Sequence, residues 1–183
     1  AKGGGALFFF MTAGMPPRES AEERITRLMS AYGDDVLRVC YLFLREHASA
    51  QDVSQTTFVK AWQSIASLRD GGTEKAWLMR IAVNTCKTML RSPEYRLYAH
   101  SPDMDDLPEP SCEDDHGDAT VLSAVLALPE KYREVVMLHY YQGLSSPETA
   151  RILRVPQATV LTRLHRARKL LESELKGWYL GHE

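Results

Sequence analysis

The chain has 183 residues, a net charge of −2 and 44% hydrophobic residues, a composition typical of one large or two small globular domains. No apolar run approaches the roughly 18 residues that a membrane-spanning helix needs. The number of cysteines is odd and no CxxC pair exists, so we expect a reducing compartment and a cytoplasmic protein. Neither a metal nor a cofactor is expected. Residues 1–10 lack the features of a signal peptide and are expected to be an expression scar or misassigned upstream sequence.

Helical periodicity dominates the first part of the chain, where strand patterns are nearly absent. Apolar residues recur at helical spacing over 21–46, with Gly33 as a candidate break between two helices. A second helix is predicted over 51–68, with Trp62 in its core face. Asp52 stands near the predicted start of that helix, where the helix dipole favours an acid.

A third long helix is predicted over 73–91, after the turn RDGG at 69–72. Thr73 is the expected N-cap because its hydroxyl can accept a hydrogen bond from the first turn. Trp77 belongs to the apolar face, and Pro93 is expected to end the helix.

An acidic segment divides the chain. Residues 101–118 contain eight acids, three prolines and no lysine or arginine. This composition buries too little apolar surface to order itself, and it predicts a flexible linker, placed at 98–118. The chain is therefore predicted to be all-α, with two small helical domains at 20–97 and 119–177.

The second domain is predicted to contain four helices. They comprise a short helix over 120–127, one over 130–142, one that begins at Ser145 and Glu148 with capping-box spacing, and a last one over 157–176. A short capped helix, a tight turn and a longer basic helix form a helix-turn-helix pattern.

The outer face of the last helix differs from an ordinary solvated face. At about 100° per residue, one arc forms the core face, and it contains Val160, Leu164, Ala167 and Leu171. The opposite side offers hydroxyls, an imidazole and cations: Thr159, Thr162, His165, Arg166 and Lys169. A merely solvated helix would normally intersperse acids, whereas this face has no acid until Glu172 and suits phosphate oxygens and base edges of DNA.

Several motifs occur together and in order. Residues 127–175 contain a Leu-Pro-x-x-x-Arg-Glu-Val start, a Gly-Leu-Ser turn and a Leu-His-Arg-Ala-Arg ending. The first domain contains SAQDVSQTTFVKAW at 49–62 and AWLMRIAVNTCKTMLR at 76–91. Over residues 25–175 the chain resembles bacterial sigma factors, and among them the extracytoplasmic-function group.

The resemblance implies a protein that binds core RNA polymerase and directs it to promoters without being an enzyme. Asp52, Gln55 and Thr56 are the residues it implies for docking on the clamp helices of the largest subunit, although Thr56 stands where the family often has glutamate. Such proteins are typically held inactive by an anti-sigma factor, often membrane-anchored. No direct insertion of this chain into a membrane is expected.

The resemblance also implies two sets of contacts with promoter DNA. For the opened minus-ten element the set is Arg80, Asn84, Lys87 and Arg91, with Asn84 near a captured base and the cations on phosphates. For the minus-thirty-five element the set is Thr159, Leu161, Thr162, Arg163, His165 and Arg166. Leu161 departs from the Lys or Arg common in the family, and it would meet a thymine methyl or a neighbouring helix. His139 would either approach the DNA backbone or serve the fold.

Two other classes of protein were compared with this interpretation. A helix-turn-helix regulator that binds DNA without polymerase shares the C-terminal features but leaves the N-terminal motifs unexplained. A metal-dependent enzyme could use DDHGD at 114–118, but this cluster lacks the spacing of a calcium loop, and the chain has no HExxH motif.

Overall fold

The computed structural model describes residues 19–68, 73–98 and 116–180, and every regular element within these ranges is helical. The predicted all-α fold is confirmed. The helices are α1 (Ala21–Leu44), α2 (His47–Ser64), α3 (Glu74–Arg91), α4 (Pro93–Tyr98), α5 (His116–Ala127), α6 (Glu130–Val136), α7 (Ser146–Leu153) and α8 (Gln157–Leu180). A short 3-10 turn at Ile65–Ser67 extends α2, and a π-helical turn at Met137–Tyr141 extends α6.

Helix α1 begins at a capping box. The Ser20 hydroxyl accepts a hydrogen bond from the Glu23 backbone, and the Glu23 carboxylate accepts one from the Ser20 backbone. The helix passes through Gly33 without a break, so the predicted break is wrong. The same face stays buried on both sides of Gly33, and this packing outweighs the roughly 1 kcal/mol helix penalty of a glycine.

Helix α2 begins earlier than the sequence predicted. The Glu46 carboxylate accepts hydrogen bonds from the backbone N–H groups of Ala48 and Ser49 at 2.7 and 2.6 Å, which places the helix start at His47. Asp52 therefore lies in the second turn, where the helix dipole has little effect. The predicted dipole role of Asp52 is wrong, although the residue is exposed.

Helices α3 and α4 are tied to other parts of the fold. Thr73 is at the N-cap position of α3 as predicted, but its hydroxyl makes no cap hydrogen bond. It donates instead to the Glu148 carboxylate at 2.6 Å. Helix α3 ends just before Pro93, which begins α4, and the Tyr95 hydroxyl donates to the Leu44 carbonyl at 2.6 Å.

The second group of helices, α5 to α8, follows the predicted order. The predicted capping box of α7 is confirmed, because the Ser145 hydroxyl accepts from the Glu148 backbone and the Glu148 carboxylate accepts from the Ser145 backbone. Gly143 precedes it with a φ of +66°, a left-handed conformation that glycine adopts at little cost. The tight Gly-Leu-Ser turn therefore leads directly into α7, the first helix of the helix-turn-helix.

Some predictions concern residues outside the described ranges. These are the expectation for residues 1–10, the turn at 69–72 and most of the linker at 98–118, whose first residue closes α4 and whose last three open α5. The DDHGD cluster at 114–118 straddles the same boundary. Within the described ranges, no group of three or more metal-ligating side chains converges, and no helix is long and apolar enough to cross a bilayer.

The two groups of helices share a hydrophobic core. Helices α1, α2 and α3 pack together, and so do α6, α7 and α8, while α3 also contacts α7. One cluster of buried residues draws on both groups: Cys40, Leu78 and Val83 from the first, and Leu138, Leu153 and Val160 from the second. The first group therefore lies directly against the helix-turn-helix.

Polar contacts join the same two groups. Lys87 of α3 forms an ion pair with Glu134 of α6 at 2.8 Å, and the Glu134 side chain is only 8% exposed. The Thr73–Glu148 hydrogen bond links α3 with α7. If Lys87 were removed, the charge of the buried Glu134 carboxylate would be left without a partner, which is strongly destabilising.

Candidate nucleic-acid interface

The packing of α8 follows from its apolar stripe. Val160, Leu164 and Ala167 are buried and Leu171 is half-buried, which confirms the predicted core face. Because α8 is held on this side by α6 and α7, its other side turns to solvent. The helix-turn-helix thus presents the predicted outer face on a rigid base.

Most of the six residues predicted for the minus-thirty-five element are accessible. Leu161, Thr162, His165 and Arg166 are exposed, whereas Thr159 and Arg163 are half-buried. The Thr162 hydroxyl donates to the Ala158 carbonyl at 2.9 Å, so that hydroxyl has only its acceptor lone pairs left for another molecule. Their role in DNA binding stays a prediction.

Leu161 is 52% exposed on this face. A side chain so exposed is not packed into a neighbouring helix of the described chain, which removes one of its two predicted environments. An exposed leucine among polar residues can still make an apolar contact with a thymine methyl group.

A groove of about 350 Å³ opens beside the first turns of α8. Its walls combine α8 with the first turn of α6, and they consist of Lys131, Tyr132, Ala158, Thr159, Thr162, Arg163 and Arg166. Sequence reasoning missed Lys131 and Tyr132, because they are far from α8 along the chain and only helix packing brings them there.

The four residues predicted for the minus-ten element lie along α3 at helical spacing. Arg80 and Arg91 are exposed, and Asn84 is half-buried. Lys87 is half-buried and already engaged by Glu134. A DNA phosphate would therefore have to replace Glu134 as the partner of Lys87 in this arrangement of the helices.

The predicted docking residues form an exposed stripe on α2. Asp52, Gln55 and Thr56 are all exposed. Two apolar side chains continue the stripe, because Val59 is 52% exposed and Trp62 is 54% exposed. The predicted core position of Trp62 is therefore wrong, whereas Trp77, which was predicted in the same way, is buried.

His139 serves the turn between α6 and α7. Its Nδ1 lies 2.7 Å from the carbonyl oxygen of Leu144, so Nδ1 carries the proton and donates it to that oxygen. Its ring packs edge-on against Tyr140. This geometry supports the structural role of His139, and its approach to the DNA backbone stays a prediction.

Comparison with known proteins gives two matches to family models and several related chains. The family model described as sigma-70 region 2 matches residues 28–94, and the one described as sigma-70, region 4 matches residues 119–171. The ECF RNA polymerase sigma factor SigW of Bacillus subtilis is 30% identical over 173 residues, which are 87% of this chain and 92% of SigW. The ECF RNA polymerase sigma-E factor of Haemophilus influenzae is 33% identical over 140 residues, which are 68% of this chain and 74% of that protein.

Solved structures show the same fold. The sigma factor RpoE of Bartonella quintana, determined in complex with the anti-sigma factor NepR, superposes with a TM-score of 0.69 and 23% identity over 84% of this chain and 98% of RpoE. The similarity to SigW and the two matched regions agree with the helical order described above. This chain belongs to the extracytoplasmic-function RNA polymerase sigma factors of the sigma-70 family.

Proposed function

We propose that this chain joins core RNA polymerase in the cytoplasm and directs it to a specific set of promoters, with no catalytic activity or cofactor of its own. The observation that carries the proposal is the outer face of the first half of α8, which has no acid before Glu172 and where Thr162, His165 and Arg166 are exposed beside Leu161. Guanidinium groups can read base edges in the major groove, and a leucine can meet a thymine methyl.

Region 119–177 is proposed as the domain that binds the minus-thirty-five element. Thr159 and Arg163 flank the exposed residues and lie at the wall of the groove, where a phosphate can approach. Contacts to phosphate fix the register of the helix on DNA, and contacts to base edges supply the choice of sequence. Leu161 replaces a cation with an apolar group, so we expect a preference for thymine at its position.

Region 20–97 is proposed to open and hold the minus-ten element, with the acidic linker at 98–118 between the domains. Asn84 offers an amide that can donate to and accept from the edge of a flipped base. Arg80, Lys87 and Arg91 are proposed to neutralise phosphates of the opened strand.

The exposed stripe on α2 is proposed as the docking surface for the clamp helices of the largest polymerase subunit. Asp52 supplies a carboxylate, Gln55 and Thr56 supply neutral polar groups, and Trp62 supplies apolar area. The exposure of all four is the support for this assignment, because a docking residue has to be accessible.

An anti-sigma factor, in many such systems membrane-anchored, is proposed to control this chain. The support is the fold shared with RpoE of Bartonella quintana, which was solved with the anti-sigma factor NepR. Co-purification of a partner that blocks transcription by the reconstituted polymerase would test this proposal.

The test of promoter recognition is transcription in vitro with core polymerase and the full chain. The Arg166→Ala variant should lower transcription from a selected promoter by about tenfold, because one bidentate contact with a base is lost. Binding of the variant to core polymerase should be unchanged. Arg168→Ala is the matched control, since Arg168 is an exposed arginine of the same helix outside the proposed contact set. Full activity of the Arg166→Ala variant would remove that residue from the interface.

A gel-shift experiment with and without core polymerase separates a sigma factor from a free-standing regulator. We expect the promoter duplex to be bound tightly only when core polymerase is present. Tight and specific binding by the chain alone would instead identify a helix-turn-helix regulator.

A further inference from the structure

The groove beside α8 contains side chains from two helices and no acidic group. Three cations line it: Lys131 from α6, and Arg163 and Arg166 from α8. Thr159 and Thr162 add hydroxyl oxygens. A concave surface with this composition attracts an anion, and its continuity with the outer face of α8 makes a duplex phosphodiester the fitting ligand.

Tyr132 connects the two walls of the groove. Tyr132 and Arg166 line the groove together, and the guanidinium of Arg166 is the main reason why the pKa of Tyr132 lies below its ordinary value. The amine of Lys131 lies 5.1 Å from the centre of the Tyr132 ring, within the range of a cation–π contact. The phenol therefore lies near two cations, with Lys131 beside its ring and Arg166 on the facing helix.

A long, exposed side chain such as arginine loses rotamer freedom when it binds a base edge. A hydroxyl that holds the guanidinium in advance reduces this loss, because the side chain is already ordered before DNA arrives. Arg166 is exposed, so packing on α8 alone does not order it, and Tyr132 is a groove residue on the facing helix whose hydroxyl can accept a hydrogen bond from the guanidinium.

We propose that Tyr132 is a positioning residue that holds Arg166 toward a base edge of duplex DNA, and that Lys131 extends the interface to one further backbone phosphate. This inference rests on the proposed function of α8 and adds two residues of α6 to its site. The two contacts have different roles. Arg166, oriented by Tyr132, contributes to the choice of DNA sequence, while Lys131 adds affinity that does not depend on sequence.

The first experiment measures sequence choice with the holoenzyme assembled from core polymerase and the full chain. A duplex library with a randomised upstream element gives the preferred sequence, and affinities are then measured for it and for its single-base variants. Tyr132→Phe keeps the ring but removes the hydroxyl, and it should reduce discrimination at one base pair by about fivefold, within the range that a bidentate contact supplies. Affinity for duplexes that lack the element should stay the same.

Tyr140→Phe is the matched control, because Tyr140 is an exposed tyrosine that does not line the groove. Lys131→Gln should weaken binding to all duplexes alike and reduce the dependence of log affinity on log salt by about one unit. Unchanged discrimination by the Tyr132→Phe holoenzyme would overturn the positioning role of Tyr132. Equal salt dependence for Lys131→Gln and the unmodified chain would overturn the phosphate contact.

The second experiment does not depend on DNA. In the full chain labelled with carbon-13 at the tyrosine ring, the Tyr132 phenol should titrate below its ordinary pKa, and Arg166→Gln should raise that pKa. If Arg166→Gln leaves the Tyr132 titration unchanged, the contact is absent and the proposal fails, whatever the library shows. If the titration shifts but the holoenzyme selects no sequence at all, the proposed function fails and the reading role of Arg166 fails with it.

Discussion

At the scale of single residues, Trp62 is the most informative side chain of α2. It is 54% exposed although tryptophan is one of the largest apolar side chains, and Val59 lies exposed one turn earlier. Exposed apolar area next to polar residues is the composition of a protein–protein interface centre. Asp52 and Gln55 continue the stripe along the same helix, so the apolar pair lies at one end of the proposed docking surface.

We expect Trp62→Ala to weaken binding to core polymerase by about 2 kcal/mol, or roughly 30-fold in Kd, because buried tryptophans dominate the energy of many interfaces. The thermal midpoint of the free chain should change little, since the indole is largely in water. Met29→Ala is the control, because Met29 is a comparably exposed apolar residue of α1. Polymerase titrations of both variants by fluorescence anisotropy measure the effect, and equal affinities would exclude Trp62 from the interface.

Thr57 explains why the sequence misplaced Trp62. The apolar pattern of 51–68 puts Phe58, Ala61 and Trp62 on one side of the helix, and it leaves out Thr57. In the structure Thr57 is fully buried, because its hydroxyl donates to the Val53 carbonyl at 2.7 Å and so needs no water. Small residues such as Ala61 share that face, and the helix is rotated so that Trp62 points outward. Hydrophobic periodicity cannot predict that a threonine will be buried because its hydroxyl bonds to a carbonyl of the same helix.

At the scale of elements, Glu74 fastens the start of α3 to α1. Its carboxylate accepts from Arg27 at 2.7 and 2.8 Å and from Arg24 at 3.2 and 3.3 Å. Arg27 also donates to Glu19 at 2.8 and 3.0 Å. These contacts, led by the hydrogen bond from Arg27, hold the pKa of Glu74 below its usual value. The group joins two helices whose apolar faces already pack, and it sets their register.

A lowered pKa in the folded state links Glu74 to stability in acid. The contribution of such a carboxylate is present above the unfolded-state pKa and is lost as pH falls through the folded-state pKa. For Glu74 the loss should begin near its ordinary value of 4.5 and be complete at lower pH. Glu74→Gln should therefore lower the free energy of unfolding by about 1 kcal/mol at neutral pH and make its decline in acid shallower.

Urea unfolding of the Glu74→Gln chain between neutral and acid pH tests this expectation. Glu22→Gln is the control, because Glu22 is an exposed acid of α1 whose carboxylate has no partner among the described residues. Parallel pH profiles for the Glu74→Gln chain and the unmodified chain would show that the network contributes nothing to acid stability.

Helix boundaries divide into those that the sequence could predict and those that it could not. The α7 capping box was predicted because Ser145 and Glu148 form a known four-residue pattern. The start of α2 was missed because its N-cap is Glu46, a residue type that is not among the preferred caps. Its longer side chain nevertheless accepts hydrogen bonds from the first turn. Thr73 has the residue type of a cap, but the approach of α7 gives its hydroxyl a different partner.

At the scale of the whole molecule, the helix-turn-helix lies against α3. A compact chain of 183 residues has a radius of gyration of about 16 Å and spans about 40 Å. The two promoter elements are named for positions about 25 base pairs apart, or about 85 Å of B-DNA at 3.4 Å per base pair. The two proposed DNA-binding faces can therefore reach these elements on a straight duplex only after the two groups of helices separate.

We call the packing of the two groups of helices against each other the closed arrangement. The contacts that hold it could not be predicted from sequence patterns. Glu134 has the appearance of an ordinary helix acid next to Arg133, and Lys87 that of an ordinary DNA-binding cation. Only the packing of α3 against the second group of helices, through α7, brings the two together, and it buries Glu134. Most residues that each group contributes to the core were predictable from periodicity within its own segment, whereas a contact between segments depends on their three-dimensional docking.

Glu134→Lys should open the molecule, because it places a second cation against Lys87 where water is scarce. We expect a penalty of about 2 kcal/mol for the closed arrangement, or roughly a 30-fold shift toward the open one. Small-angle X-ray scattering should show a larger radius of gyration for this variant. Glu172→Lys is the control with the same change of charge, because Glu172 pairs with Lys176 on the exposed side of α8.

A charge swap separates the loss of this ion pair from general damage to the fold. Lys87→Glu combined with Glu134→Lys restores opposite charges at the same two positions, so the radius of gyration should return toward that of the unmodified chain. If both variants scatter like the unmodified chain, the ion pair does not hold the groups together.

Binding of single-stranded DNA provides a second test. If Glu134→Lys binds it more tightly than the Glu172→Lys control, the closed arrangement competes with the minus-ten strand for α3. Equal binding by the two would mean that closure leaves α3 accessible, and that displacement of Glu134 from Lys87 contributes nothing to promoter opening.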